Sequence, residues 1–321
     1  MRLRLGEFPT PVTSPFPDLP RLAVKRDDLA SDLYGGNKLR KLERLLGDAK
    51  ARGKKRIVTM GAVGSHQVVA TALFGAREGF EVEAVLVSQP FSTHAEANVR
   101  AALALGLRAH AAPAWVLAPP LVARRLGRDA YFVPLGGSNA LGSVGFVDAA
   151  AELAAQVRAG ATPEPDVIVV ASGSGGTVAG LAVGLEREGM KTRVIGVAVS
   201  PPVMFLRLTT ARLARATAKA AGLDRAAAAR AVARITIDGR FLGAGYGHRT
   251  DAGSNAMAIA MRVGLELEPT YTGKAFACAL ARVRRHPEEH VLYWHTLGTL
   301  GTPASAEECE LPGRVRRLLR K

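Results

Sequence analysis

At 321 residues, 48% of them apolar and 22% charged, the chain has the length and balance of an ordinary soluble protein of one or two domains. Lys plus Arg exceed Asp plus Glu by 43 to 28, a formal charge of +15; with aromatics at 5% and not interleaved with the basic runs, the stacking platforms of a nucleic-acid binder are missing, and the excess reads as solvated helix faces. Two cysteines, Cys278 and Cys309, argue against a disulfide framework and for a reducing cytoplasm, and neither a roughly 20-residue apolar span nor a signal-peptide core is expected.

In chain order, Leu39, Leu42, Leu45 and Leu46 share one helical face, so a helix is expected to start near Lys38, just after the flexible Gly35-Gly36 pair. Arg56 to Met60 reads as a strand, followed by a turn and a helix from His66 to about Arg77. Val82 to Val87 is the next strand, with a helix from about Thr93 to Leu105. The strand Tyr131–Pro134 leads through Gly136-Gly137-Ser138-Asn139 into a long helix from about Leu141 to Arg158. After a Pro-containing turn, Asp166 to Ala171 is nearly all apolar, as expected of a parallel strand covered on both faces. Val194–Val199 and His290–Trp294 continue the strand series, and the stretch from Pro201 to Ala233 reads as two helices broken near Gly222. Repeated strand-helix units make this an α/β fold with parallel sheets flanked by helices.

Lys38 at a helix start opposes the helix macrodipole, an odd choice for stability alone, although a single lysine is more often a solvated charge. Ser172-Gly173-Ser174-Gly175-Gly176-Thr177 follows the apolar strand and precedes a helix expected from Val178 onward. Small residues there let backbone N–H groups converge on an anion. The loop lacks the Lys-Ser/Thr pair of a Walker loop, and Val178 stands where the dinucleotide fingerprint needs its third glycine. A cup without a nucleotide signature points to a smaller phosphate ligand, or to a plain strand-helix turn. Ser65 next to His66 lacks the glycine of a nucleophile elbow, because Val63 holds that place, so it reads as a cap or as a contact for a substrate carboxylate. His286-Pro287-Glu288-Glu289-His290 does not have zinc-helix spacing, and no catalytic metal is expected.

Together, Lys25-Arg26-Asp27-Asp28, Gly35 to Glu43 with Asn37-Lys38, Gly136 to Gly142, the Ser/Gly cup and Glu268-Pro269-Thr270-Tyr271-Thr272-Gly273-Lys274-Ala275 resemble the D-cysteine desulfhydrase/1-aminocyclopropane-1-carboxylate deaminase family of the tryptophan-synthase-β-like, fold type II group. The resemblance runs from about Arg21 to about Pro303. It implies pyridoxal 5'-phosphate as cofactor, with Lys38 as the Schiff-base lysine and the base that removes the substrate α-proton. It further implies that Gly173, Ser174, Gly175, Gly176 and Thr177 hold the phosphate, that Asn37 and His66 contact the cofactor, and that Thr296 faces the pyridine nitrogen. Ser65 would touch the substrate carboxylate, and Tyr246 and Tyr271 would flank the substrate and assist proton transfer. Each lobe would be a twisted parallel sheet, with a small lobe of residues 48–146 inserted into a large one made of 1–47 and 147–321. The implied activity is β-elimination from a small amino acid, D-cysteine desulfhydrase-like, in a cytoplasmic homodimer that engages neither membrane nor nucleic acid. Ring-opening deamination, or cofactor binding with altered or lost activity, are the alternatives. Thr272 stands where the ring-opening enzymes carry Glu, which favours the desulfhydrase side. His66 in place of the family's asparagine, and Leu297 in place of a glycine, depart from the pattern.

Overall fold

The computed structural model describes residues 1–298 and 309–320. In chain order its principal elements are β1 (Val12–Thr13), β2 (Leu22–Arg26), α1 (Lys38–Ala51), β3 (Arg56–Ala62), α2 (His66–Arg77), β4 (Glu81–Val87), β5 (Gln89–Pro90), α3 (Thr93–Ala104), β6 (Arg108–Ala112), α4 (Ala118–Ala123) and β7 (Ala130–Val133). There follow α5 (Ala140–Arg158), β8 (Val167–Ser172), α6 (Gly176–Arg187), β9 (Arg193–Ala198), α7 (Val203–Ala220), α8 (Arg225–Ala233), β10 (Ile235–Asp238), α9 (Asp251–Met261), α10 (Thr272–Arg285), β11 (Val291–His295) and β12 (Leu319–Arg320). The helix break near Gly222 is present, with that glycine at φ +79°. α6 begins at Gly176, two residues before the expected Val178, so Gly176 and Thr177 lie in its first turn.

The chain forms two compact units. The first comprises residues 1–5, 42–137 and 300–321, the second residues 6–41 and 138–299; one division falls within α1. In the first, β6-β4-β3-β7 form a sheet that is parallel throughout. Residues near the C-terminus belong to this unit: β12 pairs with β5, and the Arg100 guanidinium donates to the Cys309 carbonyl at 2.5 Å.

In the second unit the sheet order is β1-β2-β11-β8-β9-β10. Every pair is parallel except the edge pair β1–β2, which is antiparallel and stands outside the all-parallel expectation. β8 shows why its sequence is uniformly apolar. Val167 and Val169 face a core shared with α9 and α10, while Ile168 and Val170 face one shared with α5 and α6. α5 is long and apolar enough by composition to cross a membrane. Its Phe146, Ala149, Ala150 and Leu153, however, are completely buried against that second core face, which marks it as a core helix.

β2 carries Lys25 and Arg26, charges that hide it from a hydrophobicity pattern, yet Lys25 is wholly buried. Its ammonium donates to the Thr10 carbonyl (2.5 Å), the Glu152 carboxylate (2.5 Å) and Gln156 Oε1 (2.8 Å). Beside it the buried Asp27 carboxylate accepts from Arg40 Nη2 (2.7 Å) and Nε (3.0 Å), Thr10 Oγ1 (3.0 Å) and Trp294 Nε1 (2.7 Å). Burial pushes this carboxyl's pKa up, but the charge and hydrogen bonds of Arg40 more than reverse that, so Asp27 remains ionised. Removing one member of such a network strands the others without partners. Asp27→Ala is therefore expected to lower the unfolding free energy by about 3–5 kcal/mol, read as a shift in the urea midpoint followed by far-UV circular dichroism; an unchanged midpoint would contradict the role given to Asp27.

Candidate active site

Lys38 is the first residue of α1, and two glycines bring it close to the end of β11. A Cβ at Gly35 would lie 1.8 Å from the Asp28 carbonyl oxygen. Gly36, at φ +85°, would place one 2.7 Å from the carbonyl oxygens of Thr296 and Leu297. No other residue type fits either place. The Gly36 amide donates to the Asp27 carbonyl at 2.6 Å and the Asn37 amide to the Thr296 carbonyl at 3.4 Å. The Asn37–Lys38 segment and Thr296 are thus adjacent, although the backbone of Thr296 makes the contact. Lys38 keeps some exposure, but desolvation lowers its amine to about 8, with the Glu268 carboxylate pulling the other way.

The glycine cup sits between β8 and α6. Gly175 is left-handed at φ +80°, and a Cβ on Gly176 would lie 2.3 Å from Ser138 Oγ and 2.9 Å from Lys41 Nζ. Lys41 Nζ donates to Ser138 Oγ at 3.1 Å, and Ser138 and Ser174 share a hydroxyl–hydroxyl bond at 2.8 Å. Asn37 Nδ2 donates to Thr177 Oγ1 at 3.2 Å, which ties the start of α1 to the start of α6. The buried Lys41 amine, several hydroxyls and the N-terminus of a three-turn helix meet where a side chain on Gly176 would go. That donor set fits a phosphate. Burial, and then the charge of Lys38, push the Lys41 amine well below its ordinary value; a phosphate dianion would counter both effects.

Lys41 and Ser138 were not singled out as site residues in the sequence. The signal was there: Lys41 lies three residues after Lys38, on the same face of a helix. Its meeting with Ser138, 97 positions away, is a tertiary fact.

On the far side of the cup, a Cβ on Gly173 would be 3.3 Å from the Tyr271 ring. Tyr271 donates its hydroxyl to the Tyr246 hydroxyl at 2.9 Å, with the rings edge-to-face. Burial raises the Tyr246 hydroxyl to about 12, opposed by its bond to Tyr271. Burial, and then the neighbouring Tyr246, raise Tyr271 well above the ordinary phenol range. Both hydroxyls therefore stay protonated near neutral pH. The Glu268 carboxylate accepts from the amides of Thr270 (2.7 Å), Tyr271 (2.6 Å) and Thr272 (2.9 Å), taking up donors at the start of α10.

Ser65 and His66 lie in the other unit. Ser65 is buried in the N-cap position of α2 but makes no side-chain capping bond, so the cap reading does not hold for its hydroxyl. Gly61 leaves it room, since a Cβ there would be 2.9 Å from that of Ser65. His66 Nε2 faces His94 Nε2 at 2.9 Å, a partner sequence reading did not foresee. At the set-aside histidine cluster, the carboxylate of Glu289 is held by Arg282 and Arg193.

A phosphate cradle beside a desolvated lysine, on a helix-flanked parallel sheet, is the equipment of an enzyme that uses pyridoxal phosphate. The chain belongs to the pyridoxal-phosphate dependent enzyme family, whose sequence pattern it matches over residues 3–296. It is 36% identical to a D-cysteine desulfhydrase of Klebsiella pneumoniae (strain 342), over 92% of this chain and 94% of that one. A crystal structure of an ACC deaminase homologue superposes with a TM-score of 0.80 at 29% identity, covering 99% of this chain and 96% of that one. A fungal L-serine ammonia-lyase from Rhizomucor miehei shares the fold, with a TM-score of 0.66 at 17% identity over 96% of this chain and 97% of that one.

Two outcomes test the site. Uptake of pyridoxal phosphate by the apoprotein, followed by visible absorbance, should quicken as pH rises through about 8, where Lys38 loses its proton; a flat profile across that range would count against Lys38 as the attachment point. Lys41→Met should weaken cofactor affinity about 10- to 100-fold, the value of one charge-assisted hydrogen bond or two, measured by equilibrium dialysis.

Proposed function

We propose that this chain is a lyase that eliminates hydrogen sulfide from D-cysteine, giving pyruvate and ammonia after water is added. One observation carries the reading: a lysine amine lowered to about 8 shares a unit with a phosphate cradle and with a pair of hydroxyl-linked, protonated tyrosines. Base, anion anchor and acid are the parts an α,β-elimination needs. The similarity to D-cysteine desulfhydrases supports the substrate.

Lys38 would hold the cofactor covalently, and Lys41, Ser138, Ser174, Thr177 and the backbone of Gly173 to Gly176 would hold its phosphate. When bound, the cofactor supplies a conjugated ring that takes up the electrons left by the departing α-proton. The freed Lys38 amine, neutral above about pH 8, accepts that proton. Tyr246, itself the acceptor of Tyr271's hydrogen bond, has its own O–H available to protonate the leaving sulfur. On the resemblance, the Thr296 hydroxyl would meet the pyridine nitrogen of the bound cofactor, a weaker partner there than a carboxylate would be. Thr272, in place of the ring-opening enzymes' Glu, is occupied locally: its hydroxyl accepts from the Glu268 amide at 2.7 Å. The roles of Ser65 at the substrate carboxylate and of Asn37 and His66 at the cofactor rest on the resemblance, as do the lobes of residues 48–146 and the remainder and the homodimer. The cytoplasmic location rests on the cysteines, both free.

The test is steady-state release of pyruvate and sulfide from a panel of D- and L-amino acids, with borohydride trapping and peptide mapping of the labelled lysine. D-Cysteine should be turned over and Lys38 should carry the label. Tyr246→Phe should lower kcat by about 10²-fold or more, the contribution of a positioned general acid. Turnover of 1-aminocyclopropane-1-carboxylate instead, or of no amino acid, would overturn the assignment.

A further inference from the structure

Lys274 is completely buried, and nothing in the elimination uses it. It lies in the first turn of α10, three residues after Tyr271. Its ammonium donates to the carbonyls of Leu242 (2.8 Å) and Gly245 (2.9 Å). These carbonyls belong to the segment between β10 and α9 that carries Tyr246. That segment has little stiffness of its own. Gly243, Gly245 and Gly247 all take positive φ, at +61°, +119° and +80°, so glycines flank Tyr246 on both sides and leave its backbone many alternatives. Among the described residues its backbone is held otherwise by turns: Asp238 accepts the Arg240 amide at 2.9 Å, and the Leu242, Gly245 and His248 amides reach the carbonyls three residues back at 3.2, 3.3 and 3.4 Å. The two carbonyls that Lys274 binds lie four residues and one residue before Tyr246, so the ammonium clamps the approach to the tyrosine.

We propose that Lys274 is a positioning residue that holds Tyr246 against Tyr271, and that the first turn of α10 thereby sets the geometry of the proton-donating hydroxyl pair. Glu268 fixes the other partner, through the amides of Thr270, Tyr271 and Thr272. One turn of helix therefore orients both phenols: Tyr271 by its own backbone, Tyr246 through Lys274 and two carbonyls. A buried ammonium is costly, and an apolar side chain of similar length would fill the same space. Each of the two carbonyls otherwise accepts a backbone amide at longer range, Leu242 from Gly245 at 3.3 Å and Gly245 from His248 at 3.4 Å, so the ammonium adds the shorter bond to both.

The inference rests on the reading of Tyr246 and Tyr271 as the proton-handling pair, and its test separates the two. In holoenzyme, Lys274→Met should lower kcat on D-cysteine about 10- to 100-fold, the order expected when a reacting group is misplaced by about 1 Å, with KM changed less. The visible spectrum and the borohydride label at Lys38 should persist. In a Tyr246→Phe background the same substitution should change kcat less than about threefold, because the group it positions is already gone. Amide hydrogen exchange over residues 240–248 should quicken in Lys274→Met while exchange in α6 stays as it was. Lys274→Gln, which can still reach one carbonyl, should fall between, and it decides the matter if the Met variant does not fold. Equal losses of kcat in both backgrounds, or unchanged exchange over 240–248, would overturn the proposal. If no amino acid is turned over at all, the elimination reading fails, and the exchange measurement alone decides whether Lys274 holds this segment.

Discussion

The Asp27 carboxylate is the point on which the placement of Lys38 depends. It lies just past the C-terminal end of β2, accepts the Arg40 guanidinium from the first turn of α1, and accepts the Trp294 indole N–H from β11. Its backbone carbonyl accepts the Gly36 amide. One residue thus ties two strands to the start of the helix whose first residue is Lys38. Glu152, reaching in from α5, neutralises the remaining charge by taking both Arg40 and Lys25. Burying four charges is expensive in solvation, and an apolar cluster of equal volume could be as stable. What ions add is direction, because a guanidinium held by two carboxylates leaves α1 one rotational setting.

That setting has chemical consequences. A helix start is an unfavourable place for a cation, and Lys38 and Lys41 are two of them, three residues apart. Desolvation turns the strain into function by lowering both amines. One becomes available as a nucleophile and base, the other waits at the N-terminus of α6 for an anion. The phosphate cradle and the reactive lysine are in this sense one device built on α1, with Asn37 bridging to Thr177.

A second device is built on the start of α10, where Glu268 takes up the early amides and Tyr271 and Lys274 project toward the segment carrying Tyr246. The same physical problem recurs at the starts of α6 and α10. The free N–H groups and positive potential of a helix N-terminus must be satisfied, and here a buried carboxylate answers one and the proposed phosphate the other.

Much of the fold was legible in the sequence. Val167 to Val170 announce a strand buried on both faces, because four consecutive apolar β-formers suit little else, and the leucine stripe after Lys38 gives α1 and its start. The glycine cup could be read from its residue types as a place for an anion, because small residues there free backbone N–H groups, whereas the roles of Lys38 and of the two tyrosines came from the family resemblance. β2 could not be read this way, since Lys25 and Arg26 look solvated until Glu152, 127 residues from Lys25, supplies a counter-charge. Lys41 and Ser138, His66 and His94, and Lys274 with the carbonyls it holds were equally invisible, for a common reason: each is a hydrogen bond between residues 28 to 97 positions apart. Local sequence determined which groups this protein has and which helices and strands carry them. Only the folded chain decided which of those groups lose their water and whom they face, and that sets the amine of Lys38 at about 8 and keeps the two phenols protonated.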